Sequence, residues 1–364
     1  NPERGYHPQL AARMRAVLGH CRANQPRIMT NMGVANVQRA AEVVVDVARD
    51  LGLDGLRVAA VLGDEVTDQL DERTPLVDEE GLEIGHVGRT LVGANAYLGI
   101  DAILPAVETE ADVVITGRVA DPSLFLAPIV AEYGWARDDW RRLGQGTMVG
   151  HLMECGMQIT GGYFADPGRK DVPRPADCGY PIAEIDADGT AVITKLRDAG
   201  GMVSLATVKE QLLYEVHDPR RYLTPDVTAD FSTATLSETE KDRVRVAEAG
   251  GTARPEQLKV TVGFDGGLLA EAGVSYAGIN AAARARLARD ILAERFDRMP
   301  GIAGGYRIDL IGLSSLHASA GVDEPEASRD VRVRVALRTM DRALAEMVLW
   351  EVEALLCCGP AGGG

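Results

Sequence analysis

The sequence predicts an α/β protein, with a parallel-sheet α/β first half and a mixed α+β second half, and three observations carry that reading. Short apolar runs alternate with amphipathic stretches through the first half, the pattern of βαβ units feeding a parallel sheet. From Pro181 the texture changes, and an Asp188-Gly189 pair between two short apolar runs marks an antiparallel hairpin. Beyond Leu258, strand-like and helix-like segments follow in mixed order. The expected domains are therefore residues 1–180 and 181–364, with a boundary uncertain by about 20 residues.

Arg27–Gly33, Arg57–Asp64 and Asp112–Val119 are the clearest strands of the first half. Each is apolar at its centre and ends in polar residues and glycine, as a strand buried on both faces does where it meets its loop. Val37–Leu51 has apolar residues at helical spacing and stops at Gly52, which makes it a crossover helix. A further helix is expected over Gly144–Ile159. In the second half the hairpin at 182–196 precedes a helix at Ser204–Tyr214. The polar stretch Ser237–Glu256 reads as surface strands and loops. Strands at Leu258–Phe264, Gly273–Tyr276, Tyr306–Gly312 and Asp330–Arg338 alternate with helices near 280–296 and 342–356. The last of these helices is apolar enough to face either the core or a partner subunit in a homo-oligomer.

Composition bounds the function. A 364-residue chain, 46% hydrophobic and 25% charged, can bury a large core. Its formal charge of -16 repels nucleic acid and anionic lipid, and Arg284, Arg286, Arg289 and Arg295 are interleaved with acids as on a solvated helix face. No apolar run approaches the ~20 residues of a membrane span. Five cysteines without CxxC spacing suit a reducing cytoplasm better than a disulfide framework or a zinc ribbon. The chain opens on Asn1, as an excerpt of a longer polypeptide would, so a missing signal peptide carries little weight.

Ligands of an open parallel sheet bind beyond the carboxyl ends of its strands. Polar residues there are Asn31 and Asn36 after the first strand, Asp64 and Glu65 after the second, and Arg118 and Asp121 after the third. A guanidinium between carboxylates holds an anionic substrate group; alternatively Arg118 and Asp121 pair to fix the loop, with Asp121 capping the helix at Pro122. In GHLMECG, the spacings place His151, Glu154 and Cys155 on one helical face. They offer an acid, a base and a thiol, two ligands of a metal-dependent hydrolase, or merely satisfied core positions. His217, beside Glu215 and Asp218, is a further acid candidate, although Asp218-Pro219 also signals a helix stop. Gly161, Gly162 and the closing GPAGGG would expose backbone amides to a phosphate or thioester oxygen, but none matches a nucleotide-binding fingerprint.

Several stretches taken in order resemble the acyclic terpene utilisation family: TNMGVAN (30–36), LVGANAYLGI (91–100), DVVITGRVADPSL (112–124), GHLMECGMQITGGYFAD (150–166), QLLYEVHDPRRYLTPDVTADF (211–231), LKVTVGF (258–264) with VSYAG (274–278), and GPAGGG. The resemblance covers nearly the whole chain. It implies an N-terminal domain of the family type, preceded in relatives by a glycine-rich segment and sometimes followed by a smaller domain. It further implies work on branched isoprenoid-type acyl groups carried as CoA thioesters, with no other cofactor indicated, and it transfers no catalytic residues. On the small-molecule acyl substrate that the resemblance implies, residue chemistry favours hydration, dehydration or lyase cleavage. Catalysis falls to His151, Glu154 and Asp121, and binding to Asn31, Asn36, Asp64, Arg118, Cys155, Gly161, Gly162 and His217. A non-catalytic acyl-CoA-binding partner protein is the competing reading.

Overall fold

The computed structural model describes residues 5–24, 26–77, 81–302, 305–316 and 328–364. They fall into two compact units, residues 1–87 with 93–263, and residues 88–92 with 264–364.

The first unit opens with helix α1 (Leu10–Asn24), which sequence reading missed because its apolar face is narrow, and strand β1 (Ile28–Thr30). Helix α2 (Val37–Asp50) follows, its first turn capped by the Asn36 side chain, which accepts from the Arg39 N–H. Next come β2 (Val58–Val61), β3 (Leu91–Ala96), α3 (Ile100–Glu108), β4 (Val113–Thr116), α4 (Ser123–Tyr133) and α5 (Trp140–Glu154). β1, β4 and β2 form the expected parallel sheet with β4 in the centre, and all four β4 residues are buried. Its continuous Val-Val-Ile run is what a two-sided strand requires.

The hairpin follows as β5 (Pro181–Ile185) and β6 (Ala191–Lys195), paired antiparallel, with Gly189 at φ +89° in the turn. Ser204 caps α6 (Leu205–Leu213) through a reciprocal box with Thr207. β7 (Tyr222–Leu223), β8 (Thr228–Asp230), β9 (Thr235–Glu240), β10 (Arg243–Ala247), β11 (Gly250–Thr252) and β12 (Val260–Phe264) complete this part. β10 joins β6 and β9 in one antiparallel sheet, and β8 pairs with β7 and β11 in another.

The change of texture at Pro181 falls inside the first compact unit. Ile103, Leu126, Met148 and Leu152 from the first half share one core with Ile193, Val208, Val227, Val244 and Val246 from the second. The chain divides instead after Gly263. Hydropathy marks which residues are buried but not which faces they meet.

In the second unit, β13 (Leu268–Ala277), α7 (Ala281–Asp297), β14 (Tyr306–Ile311), β15 (Asp330–Thr339) and α8 (Arg342–Cys358) make an antiparallel sheet of order β13-β15-β14, backed by the two helices. Alternation along β15 buries Val331, Val333, Val335 and Leu337 on the helix side. Gly364 and Ser275 exchange backbone hydrogen bonds, so the glycine-rich tail is held along β13.

Candidate active site

The site is built at the carboxyl end of α5. That helix is packed unusually close to its neighbours, and glycine permits it. A Cβ on Gly150 would stand 2.6 Å from the carbonyl oxygen of Pro122 and 2.9 Å from its Cα. The helix thus seats directly on the start of α4, where Asp121 lies. The adjacent His151 side chain is only 1% exposed and that of Glu154, one turn further on, 12%. His151 Nδ1 and Glu154 Oε1 are 3.0 Å apart, a hydrogen bond whose proton lies between two titratable groups.

Aromatic rings hold the imidazole in place. It stacks on Phe231 at 5.6 Å and tilts against Tyr222 at 5.2 Å, and those two rings also touch each other. From α6, buried Gln211 donates its amide N–H to the His151 carbonyl oxygen at 3.1 Å. A carbonyl only accepts, so this bond fixes which end of the Gln211 amide faces it. Three polar atoms of this group are buried without a partner: His151 Nε2, Glu154 Oε2 and Gln211 Oε1. Thr147 Oγ1, one turn earlier on the same face of α5, is a fourth. Native interiors rarely leave such atoms unpaired, and a cluster of them marks a place built for a water or a ligand.

The charges around this group reinforce one another. Burial pushes the Glu154 carboxyl above its usual range; the His151 hydrogen bond pulls it down less, and Asp121 and Glu215 push it up again. Asp121 keeps one edge exposed. Its carboxyl is also raised, first by the surrounding protein and further by Glu215, against the downward pull of Arg118. Tyr222 is held firmly as the phenol by burial and then by the same three carboxylates. Cys155 is kept as a thiol, by burial first and by those carboxylates, despite an opposing hydrogen bond from Gln211. A thiol held in that form is a poor nucleophile. Glu215 reaches this set from a left-handed backbone conformation, φ +58°, that costs a non-glycine residue on the order of 1 kcal/mol.

Asn31 joins the edge of the cluster by donating from Nδ2 to Asp121 Oδ1 at 3.2 Å. The expected Asp121 cap is not made, since α4 has no side-chain cap. Arg118 lies 5.0 Å from the Tyr97 ring centre and forms no ion pair within 4 Å among the described residues.

Other expected binding residues have structural duties. Asp64 is buried and accepts from Asn95 Nδ2 and from the Arg118 backbone N–H, bracing the loop after β4. Asn36 caps α2. The Gly161 and Gly162 amides donate to the carbonyls of Gln158 and Met157, so neither is open to a phosphate. Gly161 is required for its φ of +106° and for a Val172 methyl 2.8 Å from its Cβ position. His217 is exposed beyond α6, in a turn where Asp218 accepts from Arg220 N–H. Among the described residues no three of His, Cys, Asp and Glu are arranged to hold a metal ion, so the hydrolase reading lacks a ligand set. No described helix is long and apolar enough to cross a membrane.

Comparison with known proteins places the chain in a family. The model of the acyclic terpene utilisation family protein AtuA matches residues 1–364. The chain belongs to that family. Membership gives this AtuA-family chain a role in acyclic terpene utilisation. No curated protein and no solved structure matches it.

Gln211, Phe231 and Thr147 were not legible as site residues. Gln211 carried a signal nonetheless. Thr207 and Gln211 lie one turn apart on the buried face of α6 beside Val208 and Leu212, and a polar pair inside an apolar stripe points to a partner or a ligand.

Proposed function

We propose that this chain is an enzyme that moves protons on a branched, isoprenoid-type acyl substrate carried as a CoA thioester or free acid, and that it performs hydration or its reverse. The observation that carries the reading is the His151–Glu154 pair, with its two unpartnered buried atoms and with Asp121 coupled to it electrostatically. A carboxyl held toward its neutral form is a proton donor near neutral pH, and a raised carboxylate is a stronger base.

In the hydration direction, Asp121 accepts a proton from water as the water oxygen bonds to the β-carbon of an α,β-unsaturated acyl group. The alkene electron pair moves toward the acyl oxygen, giving an enolate. The α-carbon then takes a proton from the His151–Glu154 pair as the carbonyl re-forms. Arg118, paired to no carboxylate within 4 Å among the described residues, supplies the positive charge that the enolate oxygen needs. The proton left on Asp121 returns to the pair through solvent, so one water has added and the site is restored.

The test is incubation with branched α,β-unsaturated acyl-CoA thioesters, with product followed by mass spectrometry. Glu154→Gln and His151→Ala are each expected to cut turnover by roughly 10²–10⁴-fold. Unchanged turnover in Glu154→Gln, His151→Ala and Arg118→Ala together refutes the assignment. Calorimetric binding of thioester without any product favours a binding protein instead.

A further inference from the structure

Tyr97, just past β3, is tied by its backbone to two other segments of the first unit. Its N–H donates to the Lys259 carbonyl at 2.8 Å, immediately before β12. The next N–H, that of Leu98, donates to the Arg118 carbonyl at 3.4 Å, in the loop after β4. Thr261 Oγ1 donates to the phenol oxygen at 3.2 Å. Backbone and hydroxyl contacts thus fix the ring, and two cations are brought to it. The Arg118 guanidinium lies 5.0 Å from the ring centre and the Lys259 ammonium 5.1 Å.

Neither cation makes an ion pair within 4 Å or a side-chain hydrogen bond among the described residues. Carboxylates are not scarce, since Asp and Glu number 54 against 38 Lys and Arg. Asp121 feels Arg118, which pulls its carboxyl down, but stands beyond ion-pair distance. An aromatic face attracts a cation without cancelling its charge or satisfying its N–H donors. Two like charges therefore share one ring with their donors unspent. Lys259 is exposed, and Arg118 and Tyr97 are part-exposed, so a dissolved anion has access to the group. An oxyanion would relieve the repulsion and accept from both cations.

We propose that Tyr97, Arg118 and Lys259 form a subsite for an oxyanion of the substrate. The inference rests on the reading above for the two forms that the substrate takes, and each form offers one source of that oxyanion. In a free acid it is the carboxylate, and Arg118 keeps the part it has in hydration. In a thioester it is a phosphate of the carrier, and Arg118 then serves the carrier and not the enolate. Lys259 adds the second charge in either case.

The experiment is calorimetric titration of the full chain with 3-methylbut-2-enoate, with the uncharged 3-methylbut-2-enamide, with free CoA and with inorganic phosphate. Binding of the enoate but not the amide identifies the carboxylate source; binding of CoA and phosphate identifies the carrier. Lys259→Met is expected to weaken whichever oxyanion binds by roughly three- to tenfold, the effect of one unit charge within about 10 Å near water. Lys241→Met removes an exposed charge from the β9–β10 turn and is expected to leave affinity unchanged. No binding of any oxyanion, affinity unaltered by Lys259→Met, or equal losses in the two lysine variants overturns the proposal. A lower melting temperature for Lys259→Met with affinity intact also overturns it, because the cation then only braces the ring. Lys259-dependent binding without hydration or dehydration sustains the subsite and removes the catalytic reading; turnover without any Lys259 dependence does the reverse.

Discussion

Replacing Glu154 with glutamine is expected to stabilise the protein above acidic pH while disabling it. The carboxyl is 12% exposed, and burial is the largest influence on it, raising its pKa. The ordinary carboxyl of an unfolded chain titrates near 4.3. Because the folded value is higher, the favourable contribution is complete below about pH 4.3 and is lost as pH climbs through the folded value. Each pH unit between the two values is worth about 1.4 kcal/mol. Glutamine does not titrate, and its amide oxygen can still accept from His151 Nδ1. The variant should therefore match the wild type near pH 4, pull ahead as pH rises, and hold a constant lead above the folded value. In a unit of this size 1 kcal/mol corresponds to about 2 °C. Thermal unfolding followed by the fluorescence of buried Trp135 and its neighbour Trp140, which both belong to the first core, reads the effect from pH 4 to 9. A difference between variant and wild type that is flat in pH, or a variant less stable at pH 8, refutes the electrostatic picture of the site.

Two further outcomes test the scaffold. Gly150→Ala is expected to destabilise the first unit by about 1–3 kcal/mol, because the new methyl meets Pro122 backbone that cannot turn aside. Gly19→Ala, in open space on α1, should gain up to ~1 kcal/mol; equal melting shifts for the two would undo the close-packing argument. Asp226→Ala removes the buried acceptor of the Ile100 N–H at the start of α3 and of the Ser123 hydroxyl. Urea unfolding should show a loss of about 2–4 kcal/mol, the cost of two stranded donors, and a loss under 1 kcal/mol would mean that water replaces the carboxylate.

Local rules made the fold legible where local rules decide. The all-apolar β4 run, the Gly189 turn and the strict alternation of β15 each announce their element, and each is present. The unit boundary obeys no local rule, since it depends on whether α5 meets β8 and β11, which lie far along the chain. The site divides in the same way. Spacing within one helix put His151, Glu154 and Cys155 on a common face; His151 and Glu154 do meet there, and Cys155 is the cap that follows the helix. Arg118 and Asp121 were chosen because strand ends gather functional groups, and Asp121 accepts from Asn31. Asp64 and Asn36 satisfied the same criterion and proved to be a loop brace and a helix cap, because a carboxylate or amide at a strand end serves backbone N–H groups as readily as ligands. The role of Gln211 was hidden because it depends on a contact 60 residues away.

The seating of α5 also bears on how the chain is made. At Gly144 the backbone of Gly250 comes so near that a Cβ would stand 2.0 Å from its carbonyl oxygen. Helix and strand are separated by roughly 100 residues, and a ribosome adding about 5–20 residues per second leaves a gap of about 5–20 s between them. Throughout that interval the apolar side of α5 has been synthesised and its cover has not. Helix α5 is therefore the segment most in need of shielding during synthesis.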